Sequence, residues 1–135
     1  MKPIRKIVET VVYVIDLDPT VRFYRDLLGF RLHGTDPARH AFFQVGETMF
    51  LTFLADATEQ GGSLPPHGTR GAGHVAFGID GDELSAWREK LTSAGVDIEL
   101  EYTWPHGGQS LYFRDPSHNS VELVTPGVWG LSSGW

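Results

Sequence analysis

The chain has 135 residues with a globular composition, 41% hydrophobic and 21% charged, which is enough for one domain with a core of its own. A net charge of −6 without any basic run argues against a nucleic-acid partner, and the absence of cysteine excludes disulfides and thiolate zinc sites, so any metal must be held by His, Asp or Glu. No run approaches the roughly 18 apolar residues of a bilayer span, and the basic start Met1–Lys6 meets Glu9 instead of an apolar segment, so a soluble, cytoplasmic protein with no membrane partner is expected.

Residues 7–15 (IVETVVYVI) are rich in β-branched side chains and predict a first strand, with Ile7, Glu9, Val11 and Tyr13 on one face. Glu9 is a carboxylate inside an apolar run. It either faces solvent or must be paired, protonated or bound to a metal. Asp18-Pro19 reads as a helix start, with Asp18 as N-cap. That helix is expected to reach Leu28, with Val21, Tyr24, Leu27 and Leu28 as its apolar stripe, Phe23 beside it and Gly29 as a left-handed stop. Strands follow at 30–34, 40–45 and 49–55. Residues 56–71 carry Gly61-Gly62-Ser63, Pro65-Pro66 and Gly68 without periodicity and predict a linker or lid-like crossover.

Residues 73–79 (GHVAFGI) predict a short buried strand bearing His74. Taken alone, such a histidine is more often a packing residue than a ligand, although imidazole is the commonest ligand for transition metals. Gly71-Ala72-Gly73-His74 is not a dinucleotide loop, because no strand precedes it and no helix follows. A second helix is expected over 82–94, ended by Gly95, then strands at 96–102, 110–114 and 120–124. The turn Asp115-Pro116-Ser117-His118-Asn119 joins the last two. Of the tail 125–135, Trp129 and Trp135 are expected to pack against the rest of the chain.

The order is strand, helix, three strands, stated twice. Glu9 and His74, Gly29 and Gly95, and Phe23 and Trp87 are separated by nearly equal intervals of 65, 66 and 64 residues. Glu9 therefore holds in the first half the place of His74 in the second. The last strand adds Glu122, again a carboxylate between apolar neighbours, and aligning the turns before the last strands sets Phe50 opposite Glu122 as its first-half equivalent.

The segments Tyr13-Val14-Ile15-Asp16-Leu17, 23–30 (FYRDLLGF), Gly73-His74-Val75-Ala76-Phe77 and Tyr112-Phe113-Arg114-Asp115-Pro116 leading into Val121-Glu122-Leu123 give the chain its family likeness. Over nearly its whole length it resembles the vicinal oxygen chelate superfamily, which includes glyoxalase I, extradiol dioxygenases, fosfomycin-resistance thiol transferases and bleomycin-binding proteins. The resemblance implies an α+β fold in which two tandem βαβββ modules form a cupped mixed β-sheet around a metal-binding cleft. It divides one domain, 1–135, into module one (about 5–56), linker (57–71), module two (72–126) and tail (127–135). It implies one divalent metal ion (Mn, Fe, Ni, Co or Zn) held by Glu9, His74 and Glu122, and a homodimer as the assembly. Phe50 at the fourth ligand position cannot bind metal, a departure from four-ligand glyoxalase I. One His and two Glu also depart from the two-His, one-carboxylate set of the dioxygenases. His118 stands where the family turn usually has Gly, so a positive φ is expected there.

The function this implies is Lewis-acid chelation of two adjacent oxygens of a small-molecule substrate, with an enolate-like or oxyanion intermediate, by a lyase, isomerase, dioxygenase or thiol transferase. Glu122 and then Glu9 are the candidates for moving the proton. Trp104, His106 and Gln109, in the loop 103–109, together with Arg114 and His67, are candidate substrate contacts. Each has a plainer reading: an ordinary turn, an Arg paired with Asp115 or Glu101, a solvated loop histidine. Tyr13 and Phe43 are candidates for lining the cleft, although strand aromatics more often serve the core. The alternative function is a non-catalytic protein of the bleomycin-resistance type that sequesters an aromatic or drug-like ligand.

Overall fold

The computed structural model describes residues 1–135, which divide into two compact units, Met1–Gly71 and Ala72–Trp135. Each unit is a four-stranded mixed sheet with one principal helix, so the architecture is α+β with two tandem βαβββ modules.

In the first unit, strand β1 (Glu9–Val14) pairs in parallel with β4 (Thr48–Leu54), which pairs antiparallel with β3 (His40–Val45), and β3 with β2 (Arg31–Asp36). Helix α1 (Leu17–Val21) is capped by Asp16, whose carboxylate accepts from the Asp18 N–H at 3.1 Å. The cap thus lies two residues earlier than the Asp18-Pro19 signal suggests, because Pro19 is accommodated anywhere in the first turn, where its missing N–H has no intrahelical role. Helix α1 runs into a π-helical segment, Arg22–Leu27, in which Leu28 N–H donates to the Phe23 carbonyl. The wider turn brings Phe23 and Leu28, five apart, onto the same side as Tyr24. All three are buried, and Tyr24 packs its ring 4.7 Å from Phe50, 5.6 Å from Phe43 and 5.8 Å from Phe30. That aromatic cluster, with Val12, Val14 and Ala41, is the core of the unit. The linker is not wholly irregular: helix α2 (Ala55–Glu59) follows β4 directly, and Arg70 returns to it, gripping Glu59 and Asp56.

In the second unit, β5 (His74–Gly78) pairs in parallel with β8 (Ser120–Val124), β8 antiparallel with β7 (Gln109–Arg114), and β7 with β6 (Leu100–Thr103). Helix α3 (Leu84–Ser93) buries Leu84 and Leu91 over Leu111, Phe113, Val121 and Leu123, and Gly95 closes it at φ +76°. β6 is shorter than the run 96–102 because its residues are exposed throughout and only Leu100–Thr103 find ladder partners on β7.

The β7–β8 turn is a built feature. The Asp115 carboxylate accepts from the backbone N–H of Ser117 and Asn119, both at 2.9 Å, and from the Asn119 side-chain amide at 3.0 Å. His118 sits at φ +66°, the left-handed conformation its place in the turn requires. The Asn119 side-chain oxygen Oδ1 in turn accepts from Gly73 N–H at 2.7 Å, tying the turn to the residue that precedes His74. Asn119→Ala removes the partner of a half-buried N–H, that of Gly73, and part of the shell of a buried carboxylate. It is expected to lower stability by about 2–3 kcal/mol, read as a shifted midpoint in urea unfolding followed by circular dichroism.

Candidate metal centre

Alternation along the strands sorts each sheet into two faces. In the second unit Val75, Val121, Leu123, Phe113 and Leu111 point to the α3 side. His74, Ala76 and Gly78 share the other face with Ser120, Glu122 and Val124 and, from β7, Arg114, Tyr112 and Ser110. This is the site face.

Here His74 and Glu122 meet. His74 lies opposite Ser120 in the parallel register, and Glu122 is one pleat further along. His74 Nε2 is 3.4 Å from Glu122 Oε2, while His74 Nδ1 lies 3.2 Å from the Ser120 carbonyl. A carbonyl oxygen can only accept, so Nδ1 carries hydrogen and Nε2 presents a lone pair in the neutral ring. Nε2 and Oε2 are then two lone-pair donors facing each other at 3.4 Å, an arrangement that needs a cation between them, a proton or a metal ion. The donor chemistry therefore fits a divalent ion held by one imidazole and one carboxylate.

Glu122 is a buried carboxylate, 6% exposed, and the structure satisfies it. Ser110 Oγ donates to Oε1 at 2.5 Å, and Trp104 Nε1 donates to Ser110 Oγ at 2.8 Å. Tyr112, directly across the ladder, directs its hydroxyl at the same carboxylate. Burial and that carboxylate push the Tyr112 phenol up to about 12. Ser110 and Tyr112 were not among the sequence candidates. The signal was there, because a hairpin turning at 115–119 sets residues 112 and 110 on the same face as 122.

The other candidates fall as follows. Glu9 opens β1 in the first unit, exposed, on the face it shares with Val11, Tyr13, Met49, Leu51 and Phe53. Neither unit by itself gathers three His, Asp or Glu as a ligand cluster. Leu51, not Phe50, is the first-half equivalent of Glu122: β1 pairs Val11 with Leu51 as β5 pairs Ala76 with Glu122. Phe50 points the opposite way, into the core beneath Tyr24, and so does Phe43, which lines no site face. The fourth position is still closed to metal, by an aliphatic side chain.

Arg114 is engaged by Glu99 at 2.7 Å and donates to the His118 carbonyl at 3.1 Å, so neither Asp115 nor Glu101 is its partner; Glu101 pairs with Arg88. Trp104 serves the Glu122 network. His106 stands at the tip of a tight turn in which Gly107 N–H donates to the Trp104 carbonyl at 3.1 Å and Trp104 N–H to the Gly108 carbonyl at 3.0 Å. Gln109 bonds Thr103 through its side chain at 3.3 Å and Thr125 through its backbone N–H at 2.8 Å. His67 folds back within the first unit to meet Tyr13. Of the two tail tryptophans, Trp129 is exposed, but Trp135 lies on the site face: a Cβ on Gly78 would come within 2.2 Å of its indole ring.

Residues 6–123 match the family model described as the Glyoxalase/Bleomycin resistance protein/Dioxygenase superfamily. The chain is 27% identical over 126 residues to a lactoylglutathione lyase of Haemophilus influenzae, covering 88% of this chain and 91% of that protein. It is 38% identical over 58 residues to the metallothiol transferase FosB of Bacillus licheniformis, 42% of this chain and 37% of that one. Among solved structures, a lactoylglutathione lyase from Agrobacterium tumefaciens superposes with a TM-score of 0.91 at 34% identity, covering 96% of this chain and all of that one.

Two measurements check the geometry. A spectrophotometric pH titration is expected to show one tyrosine ionising near pH 12, and Glu122→Gln to bring it down towards the ordinary value of 10. A phenol raised in the folded state holds its stabilisation below the unfolded value and loses it as pH climbs to the folded one. The Tyr112 contribution is therefore lost between about pH 10 and 12. Gly78→Ala is expected to expel the Trp135 indole and raise tryptophan quenching by acrylamide, with the far-ultraviolet spectrum unchanged.

Proposed function

This chain belongs to the glyoxalase/bleomycin resistance protein/dioxygenase superfamily, and from that premise we propose that it is a metal-dependent enzyme acting on a small substrate with two adjacent oxygens. The observation that carries the reading is the His74 Nε2 and Glu122 Oε2 pair at 3.4 Å with the Nδ1 side of the ring turned to a carbonyl. Two donors so arranged, with Ser110, Trp104 and Tyr112 all serving to orient Glu122, favour a built ligand pair over a packing histidine.

The ligand set is assigned to Glu9, His74 and Glu122. When bound, a divalent ion (Mn, Fe, Ni, Co or Zn) polarises the two substrate oxygens and stabilises the oxyanion that forms. The chain's own groups do the rest. Ser110 and Tyr112 hold Glu122 from one side, so it keeps Oε2 directed at the His74 nitrogen and cannot swing away. Trp104 fixes the Ser110 hydroxyl. Glu9 is engaged by no hydrogen bond or ion pair and sits exposed at the first residue of β1. Of the two carboxylate ligands, Glu9 has no protein group pinning it whereas Glu122 has, so Glu9 is the one that would leave the ion to take and return a substrate proton. One imidazole and two carboxylates suit proton transfer better than ring-cleaving oxygen chemistry, which agrees with the lyase names among the relatives. A homodimer is the proposed assembly, to be checked by sedimentation equilibrium.

Calorimetric titration with Mn²⁺, Ni²⁺ and Zn²⁺ tests the ligand set. His74→Ala and Glu122→Gln are each expected to weaken binding at least about tenfold. Turnover is then assayed with the glutathione–methylglyoxal hemithioacetal and with a catechol under oxygen; Glu9→Gln should abolish turnover of the first. If no divalent ion binds the wild-type protein, or if His74→Ala and Glu122→Gln bind as well as it does, the metal-enzyme reading fails and the ligand-sequestering alternative takes its place.

A further inference from the structure

At the far end of β1 from Glu9, the first unit gathers a second group of polar side chains. Tyr13, Phe53 and His40 form one row across β1, β4 and β3, on the same face as Glu9. Four residues at about 3.3 Å per residue put this row about 13 Å from Glu9. The row is aromatic throughout: the His40 ring stacks on Phe42 at 3.9 Å, and Phe53 meets Phe42, His40 and His67 edge-on at 5.2, 5.9 and 4.9 Å.

Three hydrogen-bonding side chains, Arg39, His40 and His67, pack around the Phe53 ring. The Arg39 guanidinium lies over the Phe53 ring, 5.0 Å from its centre. Arg25, Arg70, Arg88 and Arg114 each have a carboxylate partner, and Arg39 has none. Arg39 Nη1 lies 3.4 Å from His40 Nδ1, which must accept from it, so His40 carries hydrogen on Nε2. Tyr13 Oη lies 2.5 Å from His67 Nδ1. Burial, and then Glu59, raise the Tyr13 phenol, so it keeps its proton and donates, and His67 too carries hydrogen on Nε2. Two carboxylates are near: Glu59 is neutralised by Arg70, while Asp36 accepts from Ala38 N–H in the turn before β3 and keeps its charge, which Arg39 offsets. His67 is held in place by the segment that carries it, since its N–H donates to the Thr58 carbonyl and Arg70 staples the segment to α2.

We propose that Arg39, His40 and His67, with the Phe42 and Phe53 rings as a floor, form a carboxylate-binding subsite that receives the anionic end of the substrate. One fixed positive charge and two neutral N–H donors match a monoanion better than a dianionic phosphate; burial and the Arg39 charge hold the His40 imidazole below its usual range, in the neutral form. The substrate role rests on the metal-enzyme reading above and adds to it that the substrate carries a carboxylate on the order of 13 Å from its chelating oxygens.

The test has two arms. On metal-free protein, benzoate is titrated by calorimetry with benzyl alcohol and inorganic phosphate as controls. Benzoate is expected to bind and both controls to bind at least about tenfold more weakly, with Arg39→Gln costing about tenfold and Arg39→Lys restoring part of it. On Mn²⁺-loaded protein, sebacic acid monohydroxamate is compared with decanohydroxamate, which chelates identically but ends in a methyl group. The acid is expected to bind about tenfold more tightly, and Arg39→Gln to erase that advantage while leaving decanohydroxamate affinity unchanged. If benzoate fails to bind, if phosphate binds as well as benzoate, or if Arg39→Gln changes nothing with its circular dichroism intact, the subsite is wrong. If Mn²⁺ does not bind but the benzoate arm behaves as stated, the subsite stands and the metal-enzyme reading falls. Equal binding of the two hydroxamates on Mn²⁺-loaded protein overturns the substrate role alone.

Discussion

Each unit closes by pairing its first strand in parallel with its last, and the register of that pairing decides what the site face carries. In the second unit the register sets His74 beside Ser120 and Ala76 beside Glu122. A slip of one residue would turn His74 and Glu122 to opposite faces and drive a carboxylate into the Leu111–Phe113 core. The register is held from outside the ladder by the Asp115–Asn119 turn, whose Asn119 side chain bonds Gly73 next to His74. The turn is thus a structural support for the candidate ligand, although it touches no donor atom itself.

The two units spend the same topology differently. At equivalent places stand Glu9 and His74 on the first strands, Leu51 and Glu122 on the last. Burying Glu122 would cost several kcal/mol if it were left unsatisfied, and the second unit offsets this with Ser110, Tyr112 and Trp104 arranged around it. The first unit has no such charge to satisfy at Leu51, and its site face is correspondingly apolar through Met49, Leu51 and Phe53. Divergence of the two halves is therefore legible as one buried carboxylate and the polar shell it demands.

Much of this was readable in the sequence, because strand period and helix stops are local signals. The strands at 40–45 and 120–124 and the stops at Gly29 and Gly95 depend on nearest neighbours alone, whereas the positive φ at His118 was legible only through the family resemblance, which sets Gly at that place in the turn. What escaped was non-local. Phe50 and Leu51 are adjacent, and only the ladder to β1 says which one shares a face with Glu9. The π-helical segment escaped because Phe23 next to Tyr24 reads as one core residue and one neighbour at a period of 3.6, whereas the wider turn buries both. Ser110 and Tyr112 needed the hairpin register, and the return of Arg70 to α2 needed a contact across a segment with no periodicity of its own.

The repeat reaches one step beyond the modules themselves. After each module the chain runs on into an irregular segment, 57–71 after the first and 127–135 after the second. In each case that segment returns to its own first strand, four residues beyond the candidate ligand. His67 meets Tyr13, four after Glu9, and the Trp135 indole meets Gly78, four after His74. Tyr13 receives its visitor as a hydrogen-bond donor to an imidazole. Gly78 receives its own by having no side chain, which leaves room for an indole flat against the strand. Both visitors stand on the face of the candidate ligands, at the same distance along the strand, so each site face is bounded at its far end by a segment outside the module. The two segments have little sequence in common, yet each closes the same end of its own sheet face, one with an imidazole and one with an indole.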